Sequence, residues 1–236
     1  MPPDRRELHV HLGIDSVVED LFESLFTQNI LNAQNTDVRY VTAQIYRREL
    51  RDAVDNASIP VTQFPRQMAG HNLLLSRPRM IFPGIPLNCI GKGLQLAYKL
   101  KQLQHIFVEH KVCFHLFLTD HLSYLFHHQK YVASNSERAM SATWRPLIDV
   151  VLSGVFDGNE LYVWNSEELT HFLPDFLQDV LNVSENDCLK VLNSPPGLQS
   201  NTPPAEALAK FRERFGLDQD HFDYVYEEEL RELEIL

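Results

Sequence analysis

Hydrophobic and polar positions alternate at the start of the chain and then change to a helical spacing. Leucine and valine alternate with charged or imidazole side chains over residues 8–12, which predicts a β-strand. After Gly13 the apolar positions recur at three- and four-residue intervals, which predicts a helix. Ser16 is followed three residues later by Glu19, the signature of a capping box, so we expect this helix to begin at Ser16. The order strand, short loop, helix is the first half of a β-α-β unit.

The same alternation of strand and helix patterns continues along the chain. Further strands are predicted at 37–42, 73–76, 112–119 and 160–164, and further helices at 43–57, 94–110, 121–134, 144–156, 167–181 and 205–215. The run 112–119 is apolar nearly throughout, which is typical of the centre of a parallel sheet. These patterns predict an α/β fold, a three-layer sandwich with a mainly parallel central sheet. We expect this domain to span residues 1–200, with a C-terminal helix and an acidic tail over 201–236, either packed on it or extending from it.

Composition narrows the class of protein. With 236 residues, 44% of them hydrophobic and 22% charged, the chain has the composition of an ordinary globular protein. No apolar run approaches the roughly 20 residues that cross a bilayer, and the first residues lack the apolar region of a secretory signal. We therefore expect a cytoplasmic protein with no membrane partner. The three cysteines lack any CxxC pairing and are expected to be reduced core thiols.

Negative charge is concentrated at the end of the chain. The formal net charge is −11, and residues 217–236 hold eight acidic residues and one arginine, a contribution of −7. Nucleic-acid binding requires a basic face that neutralises phosphates, so this charge distribution gives it no support. The acidic tail either packs a helix against the domain or is an interaction segment. In the second case the protein is an assembly partner, or a homo-oligomer formed through the tail.

The start of the first predicted helix is unsuited to an anion. Helix N-termini in β-α-β units often hold a phosphate, and a working phosphate loop supplies glycines, a lysine and a hydroxyl group. Here Gly13 is the single glycine, and Asp15, Glu19 and Asp20 surround the start of the helix. Carboxylates there stabilise the helix by about 0.3 to 1 kcal/mol each through its dipole, and they repel a bound anion. From the residues alone, this is a well-capped structural helix.

The order of the elements nevertheless resembles the P-loop sulfotransferase family, in particular its bacterial and phage-like members, from about residue 7 to residue 212. His11, Leu12 and Gly13 coincide with the family opening HLGxxKT(G/A)TT, and FHLFLTDHLSYLFHHQ (114–129) lies where the family has a strand ending in IRDxxxFxxSxY. LYVWNSEELTHFLPDFLQDVL and VLNSPPGLQSNTPPAEALAKF resemble the late strand and helix and the closing loop. The resemblance implies a P-loop sulfotransferase-like fold.

The chain departs from the family in the opening loop. In a resembling enzyme the loop lysine and threonines bind the 5′-phosphosulfate of 3′-phosphoadenosine-5′-phosphosulfate. By position, Ser16 stands for the lysine and Val17 for its neighbouring threonine, Val18 for the small residue, and Glu19 and Asp20 for the next two threonines. The loop is therefore degenerate as a cofactor site.

The second family motif, which binds the 3′-phosphate, has also lost its binding residues. Thr119 stands where the family has the arginine of IRD, Asp120 keeps the aspartate, and His127 stands for the later serine. A single charge-assisted hydrogen bond contributes about 1.5 to 3 kcal/mol, so the combined changes are expected to weaken cofactor binding by thousands-fold or more.

Three functions follow as hypotheses. The leading one is a sulfotransferase-like, non-catalytic binding or interaction module that uses no cofactor and binds a protein or glycan partner. The alternative is an active enzyme that transfers sulfate from 3′-phosphoadenosine-5′-phosphosulfate to a carbohydrate or other hydroxyl acceptor, with His11 or His121 as the base. The cations that would replace the missing ones are Arg77, Arg79, Lys92 and Lys130. The third hypothesis is the assembly partner that acts through the acidic tail.

No metal site is predicted from the histidines. Those between positions 121 and 128 follow the predicted central strand, but their spacing of about two helical turns is too long for one metal ion without ligands from another element. His9 and His11 share one strand face and would meet His115 if the two strands are neighbours. We interpret these three as core or layer-interface histidines.

Overall fold

A five-stranded sheet forms the centre of the part of the chain that the structure describes. The computed structural model describes residues 6–13, 16–28, 31, 36–60, 62–76, 89–134, 143–165, 169–193 and 203–232. The strands are β1 (Arg6–Gly13), β2 (Val38–Tyr40), β3 (Asn72–Ser76), β4 (His110–Leu118) and β5 (Glu160–Asn165). Their order across the sheet is β2-β3-β1-β4-β5, and every neighbouring pair is parallel. The predicted α/β class and the parallel sheet are therefore confirmed.

Helices connect the strands and also follow the last one. They are α1 (Ser16–Thr27), α2 (Ala43–Ile45), α3 (Arg51–Asp55), α4 (Phe64–Met68), α5 (Cys89–Ile106), α6 (His121–His127), α7 (Gln129–Ser134), α8 (Arg145–Gly154), α9 (Leu169–Asp175), α10 (Glu185–Asn193), α11 (Ala205–Phe215) and α12 (Gln219–Glu232). Two π-helical segments, Tyr46–Leu50 and Phe176–Val180, continue α2 and α9. None of the described helices is long and apolar enough to cross a membrane.

Several helices differ from the sequence predictions in their bounds, and α4 and α10 were not predicted. The helix predicted at 94–110 begins at Cys89 and ends at Ile106, because His110 already belongs to β4. The helix predicted at 121–134 is divided at His128 into α6 and α7. α10 was not predicted, although Ser184 followed by Asp187 is a capping signal, and the Asp187 amide donates to the Ser184 hydroxyl at 3.3 Å.

Each face of the sheet packs against its own hydrophobic cluster. Leu8, Val10 and Leu12 of β1 point to one face, where buried side chains of α5, α8, α11 and α12 join them. On the other face, buried side chains of α1, α9 and α10 pack on Leu74 and Phe117. His9 and His11, which alternate with the leucines of β1, point to this second face. The sheet therefore has helices on both sides, as an α/β sandwich requires.

The end of β1 requires glycine. Gly13 has a φ of +155°, and a Cβ atom built on it would lie 2.8 Å from the carbonyl oxygen of Phe117 on β4. A side chain at this position would therefore collide with backbone, which cannot move without disturbing the sheet. The resulting close approach of β1 and β4 lies at the carboxyl ends of the two central strands.

Candidate functional site

The sheet has a topological switch point at the carboxyl end of β1. The connection that follows β1 packs α1 on one face, whereas α5 and α6, which follow β3 and β4, pack on the other face. Connections that diverge in this way leave a crevice where open α/β sheets bind ligands. The residues that end these strands are Gly13, Ser76 and Leu118. The resemblance to sulfotransferases also predicts the cofactor site at this edge.

The predicted cofactor positions of the opening loop are described only in part. Asp15 lies outside the described residues, and Ser16 and Val17 belong to the first turn of α1, with no description of their side chains. Glu19 is half-buried and Asp20 is exposed in the same helix. α1 therefore begins at Ser16 as the capping pattern predicted, and it carries acidic residues in its first turns.

The predicted positions after β4 have structural partners. The carbonyl of Thr119 accepts a hydrogen bond from the indole Nε1 of Trp144 at 2.9 Å. The carboxylate of Asp120 caps α6 by accepting the amide of Ser123 at 2.9 Å. His127 is exposed in the last turn of α6. These contacts give Thr119 and Asp120 roles in the fold that do not depend on a cofactor.

The replacement cations proposed from the sequence are scattered or undescribed. Lys130 is exposed on α7. Lys92 lies in the first turns of α5, with no description of its side chain. Arg77 and Arg79 lie outside the described residues. Of these four cations, the structure describes only the side chain of Lys130, which is exposed.

His11, the first candidate base, is sealed inside the protein. Its Nδ1 forms a hydrogen bond of 2.7 Å with the hydroxyl of Ser76, and its Nε2 has no hydrogen-bond partner among the described residues. The rings of Phe22 and Phe117 lie edge-on to the imidazole. Burial lowers the pKa of His11 to about 3, so the ring is neutral near pH 7. A group with so low a pKa is a weak base, and the His11 side chain is fully buried.

His121, the second candidate base, is equally enclosed. Its ring stacks on Trp144 with centroids 5.1 Å apart, and Tyr226 of α12 lies edge-on to it. Its Nε2 lies 3.2 Å from Oε2 of Glu229, although the two groups are poorly aligned for a hydrogen bond. The other oxygen of Glu229 accepts the backbone amide of Arg145 at 2.9 Å. α12 thus covers His121 with an aromatic and carboxylate surface.

A second group of polar residues forms a hydrogen-bonded row on the α1 face of the sheet. The indole of Trp164 donates to Nδ1 of His115 at 3.1 Å, and Nε2 of His115 lies 3.1 Å from Nδ1 of His9. Because an indole N–H can only donate, neutral His115 carries its proton on Nε2 and donates it to His9. With its Nδ1 accepting from His115, His9 presents Nε2 as its donor atom, and this atom lies 3.4 Å from Oε2 of Glu7. We call this row the histidine chain.

The histidine chain ends among ionisable groups at the amino ends of the strands. Ligand atoms of Glu7, His9 and Cys113 all lie within 4.8 Å of one another. Lys111 bridges Glu7 at 3.4 Å and Glu160 at 2.6 Å, and Sγ of Cys113 lies 3.8 Å from Oε2 of Glu160. We call these five residues the amino-edge cluster.

The electrostatics of the amino-edge cluster favour charged carboxylates and a neutral thiol. A hydrogen bond with His9 lowers the pKa of Glu7, and one with Lys111 lowers the pKa of Glu160. Burial, together with the charge of Glu7 and Glu160, raises the pKa of Cys113 to about 12. Burial holds the pKa of His115 well below its ordinary value. The cluster is therefore a set of oxygen, nitrogen and sulfur donors whose two carboxylates are both paired with the ammonium group of Lys111.

Sequence reasoning found part of this arrangement. It placed His9 and His11 on one strand face and expected His115 to join them if the strands were neighbours, and β1 and β4 do pair. It missed Glu7, Cys113 and Glu160 as a group. The signal was present as period-two spacing in each strand, but the order and register of the strands were needed to bring the three together.

Comparison with known proteins adds no relative. The chain matches no family model, no curated protein and no solved structure. The likeness to sulfotransferases therefore depends on the sequence motifs alone.

Proposed function

We propose that this chain is a sulfotransferase-like α/β protein that has lost standard cofactor binding and acts as a non-catalytic binding or interaction module. The observation that supports the proposal most strongly is the burial of the two candidate bases at the carboxyl edge. His11 and His121 are fully enclosed, and His11 is held neutral. Neither is placed to take a proton from an acceptor hydroxyl.

The residues around the switch point support the same proposal. The 5′-phosphosulfate of the family cofactor requires cations and hydroxyl donors at the start of α1, where this chain has Glu19 and Asp20. At the arginine position of the second motif, Thr119 uses its backbone carbonyl to hold Trp144. A crevice with this chemistry favours a neutral or cationic partner, such as a polar glycan or a protein surface, over a phosphorylated nucleotide.

The test is isothermal titration with 3′-phosphoadenosine-5′-phosphate, the desulfated form of the family cofactor. We expect no heat and no competition at millimolar nucleotide. Micromolar binding would overturn the proposal and favour an active sulfotransferase that transfers sulfate to a carbohydrate or other hydroxyl acceptor. A panel of hydroxyl acceptors with 3′-phosphoadenosine-5′-phosphosulfate would then identify the reaction.

A restored variant makes a negative titration informative. Ser16→Lys and Thr119→Arg return the two family cations, and Glu19→Thr with Asp20→Thr returns the hydroxyls and removes the two carboxylates. If the crevice retains the family geometry, this variant is expected to bind the nucleotide at least a thousandfold more tightly than the natural chain. A folded variant that still fails to bind would contradict the sulfotransferase relationship itself. The matched control is Lys101→Ala, which removes an exposed cation of α5 and should leave the titration unchanged.

A further inference from the structure

We propose that Glu7, His9, Cys113 and Glu160 form a zinc site at the amino edge of the sheet. The four residues come from β1, β4 and β5, which are adjacent strands, so strand pairing fixes their backbone positions. The site lies at the opposite end of the strands from the switch point. It therefore stands independently of the proposed function.

The separations between donor atoms fit a tetrahedral zinc ion. Zinc bonds of about 2.0 to 2.3 Å place neighbouring ligand atoms about 3.3 to 3.8 Å apart. Nε2 of His9 lies 3.4 Å from Oε2 of Glu7, and Sγ of Cys113 lies 3.8 Å from Oε2 of Glu160. Two pairs of ligands therefore already have the spacing of tetrahedral edges. The ligand atoms of Glu7, His9 and Cys113 all lie within 4.8 Å of one another, and Glu160 joins this group through its contact with Cys113.

The two carboxylates divide their oxygens between the zinc ligands and Lys111. Lys111 contacts Oε1 of Glu7 and Oε1 of Glu160, whereas the Oε2 atoms face His9 and Cys113. The hydroxyl of Tyr162 also donates to Oε2 of Glu160. Contacts of this kind hold metal ligands in orientation, and His9 has a comparable outer partner in His115. Lys111 can therefore remain in place when the metal binds.

The mixture of donors selects for zinc. Thiolate and imidazole ligands favour Zn²⁺ over the oxygen-seeking Mg²⁺ and Ca²⁺. When the Zn–S bond forms, the thiol proton of Cys113 leaves to solvent. Two carboxylates and one thiolate then balance the two charges of the metal and the one charge of Lys111. The side chains of Glu7 and Glu160 are 38% and 40% exposed, which leaves the metal a path from solvent.

Zinc binding has a consequence for the histidine chain. A metal on Nε2 of His9 requires the ring proton on Nδ1, which then donates to Nε2 of His115. His115 must carry its own proton on Nδ1, where it meets the indole N–H of Trp164 and breaks that hydrogen bond. Each histidine keeps one proton throughout. Zinc binding at the amino edge can therefore be detected as a change in the tautomer of His115, which does not contact the metal.

The first test is a titration of the reduced, metal-free full chain with Co²⁺, which gives an ultraviolet thiolate-to-metal charge-transfer band when a cysteine ligates it. We expect one equivalent of Co²⁺ to produce the band and Zn²⁺ to displace it. Cys113→Ser should abolish the band and weaken Zn²⁺ binding by more than about 100-fold, since loss of outer-shell partners alone costs about 10- to 100-fold. Cys89→Ser and Cys188→Ser are the matched thiol controls and should keep both properties.

A second variant covers the case in which Cys113→Ser does not fold. Glu160→Gln alters a half-exposed side chain, and we expect it to fold and to bind Zn²⁺ more weakly. Nitrogen-15 spectra of the natural chain should show His115 changing from the Nε2–H to the Nδ1–H tautomer as Zn²⁺ is added. The absence of a charge-transfer band, a band lost on Cys89→Ser or Cys188→Ser, or Zn²⁺ binding with an unchanged His115 tautomer would overturn the proposal.

Discussion

The two ends of the sheet hold their ionisable groups in different surroundings. At the carboxyl ends of the strands, His11 and His121 are enclosed by aromatic rings. At the amino ends, Glu7, Lys111 and Glu160 are partly exposed and charged, beside a buried imidazole and thiol. Open parallel sheets ordinarily place ligands at the carboxyl ends.

This difference teaches that the position of a site in a fold and the chemistry at that position must be argued separately. The carboxyl edge has the topology of a ligand site, but the histidines His11 and His121 there are buried in the core. The amino edge has no topological reason to be a site, yet it brings together donors of three kinds. The predictions below test whether the two ends are as different as their contacts indicate.

The largest expected effect is at the enclosed end. Trp144 is fully buried, stacks on His121 and donates to the carbonyl of Thr119. Trp144→Ala leaves a large cavity and removes the hydrogen bond to the Thr119 carbonyl, so we expect a loss of about 3 to 5 kcal/mol in the free energy of unfolding, measured by urea denaturation. Tyr224→Ala is the control, because Tyr224 is 61% exposed, and it should change stability by less than about 0.5 kcal/mol. Equal losses in the Trp144→Ala and Tyr224→Ala variants would contradict the burial of the side chains at the carboxyl ends of the strands.

Lowering the pH should remove the stabilising contributions of the two ends of the sheet in different pH ranges. The pKa of His11 falls from 6.5 to about 3 on folding, so the unfolded chain binds this proton first and stability is lost as pH falls from about 6.5 toward 3. The maximum slope for this group is about 1.4 kcal/mol per pH unit. The carboxylates Glu7 and Glu160 have pKa values lowered from 4.5, so their contribution is present above about pH 4.5 and is lost below it.

The measurement is the free energy of unfolding between pH 7 and pH 4. His11→Asn should reduce the slope between pH 6.5 and pH 4.5, where the carboxylates do not yet contribute, while His115 keeps a slope of its own because burial also lowers its pKa. His127→Asn, at an exposed position, should leave the slope as it is. An unchanged slope in a folded His11→Asn protein would show that His11 is hydrated in solution.

Backbone contact at the carboxyl end predicts a smaller effect. Gly13→Ala places a Cβ atom 2.8 Å from a carbonyl oxygen at a φ of +155°, and we expect a loss of about 1 to 3 kcal/mol. Alanine substitutions at two other glycines serve as controls. Gly158 has a φ of +84° with open space, so Gly158→Ala tests backbone strain alone, and Gly70→Ala has neither strain nor a neighbour within 4 Å. A loss at Gly13 no larger than that at Gly158 would mean that the strands can separate at this point.

Local patterns in the sequence predicted the parallel α/β fold because most of the elements show a hydrophobic period and the run 112–119 is apolar nearly throughout. The change of period at Gly13 and the capping box at Ser16 located β1 and α1. The helix α10 was not predicted because its apolar residues are confined to a short stretch, from Cys188 to Leu192. The split of 121–134 at His128 is a local backbone event that hydrophobic spacing does not encode.

The sites were harder to predict than the fold. His11 and His121 were chosen as bases from residue type and position, but their burial depends on Phe22, Trp144 and Tyr226, which lie far from them in sequence. The amino-edge cluster depends on the order β1-β4-β5, which no local pattern contains. Long-range packing therefore decided both which polar groups were enclosed and which came together.

The smallest expected effect compares one carboxylate at each end. Glu160→Gln weakens a pair with Lys111 in which the two side chains are 40% and 31% exposed, so with a chelator present we expect a loss of about 0 to 1 kcal/mol in the free energy of unfolding. Glu229→Gln alters a buried carboxylate beside His121, and we expect about 1 to 3 kcal/mol. Both changes replace a carboxylate by an amide of the same shape. The difference between the two losses in the free energy of unfolding therefore measures the effect of the surroundings. Equal losses would mean that the amino edge is as much a part of the core as the carboxyl edge, and that its donors serve stability ahead of binding a metal.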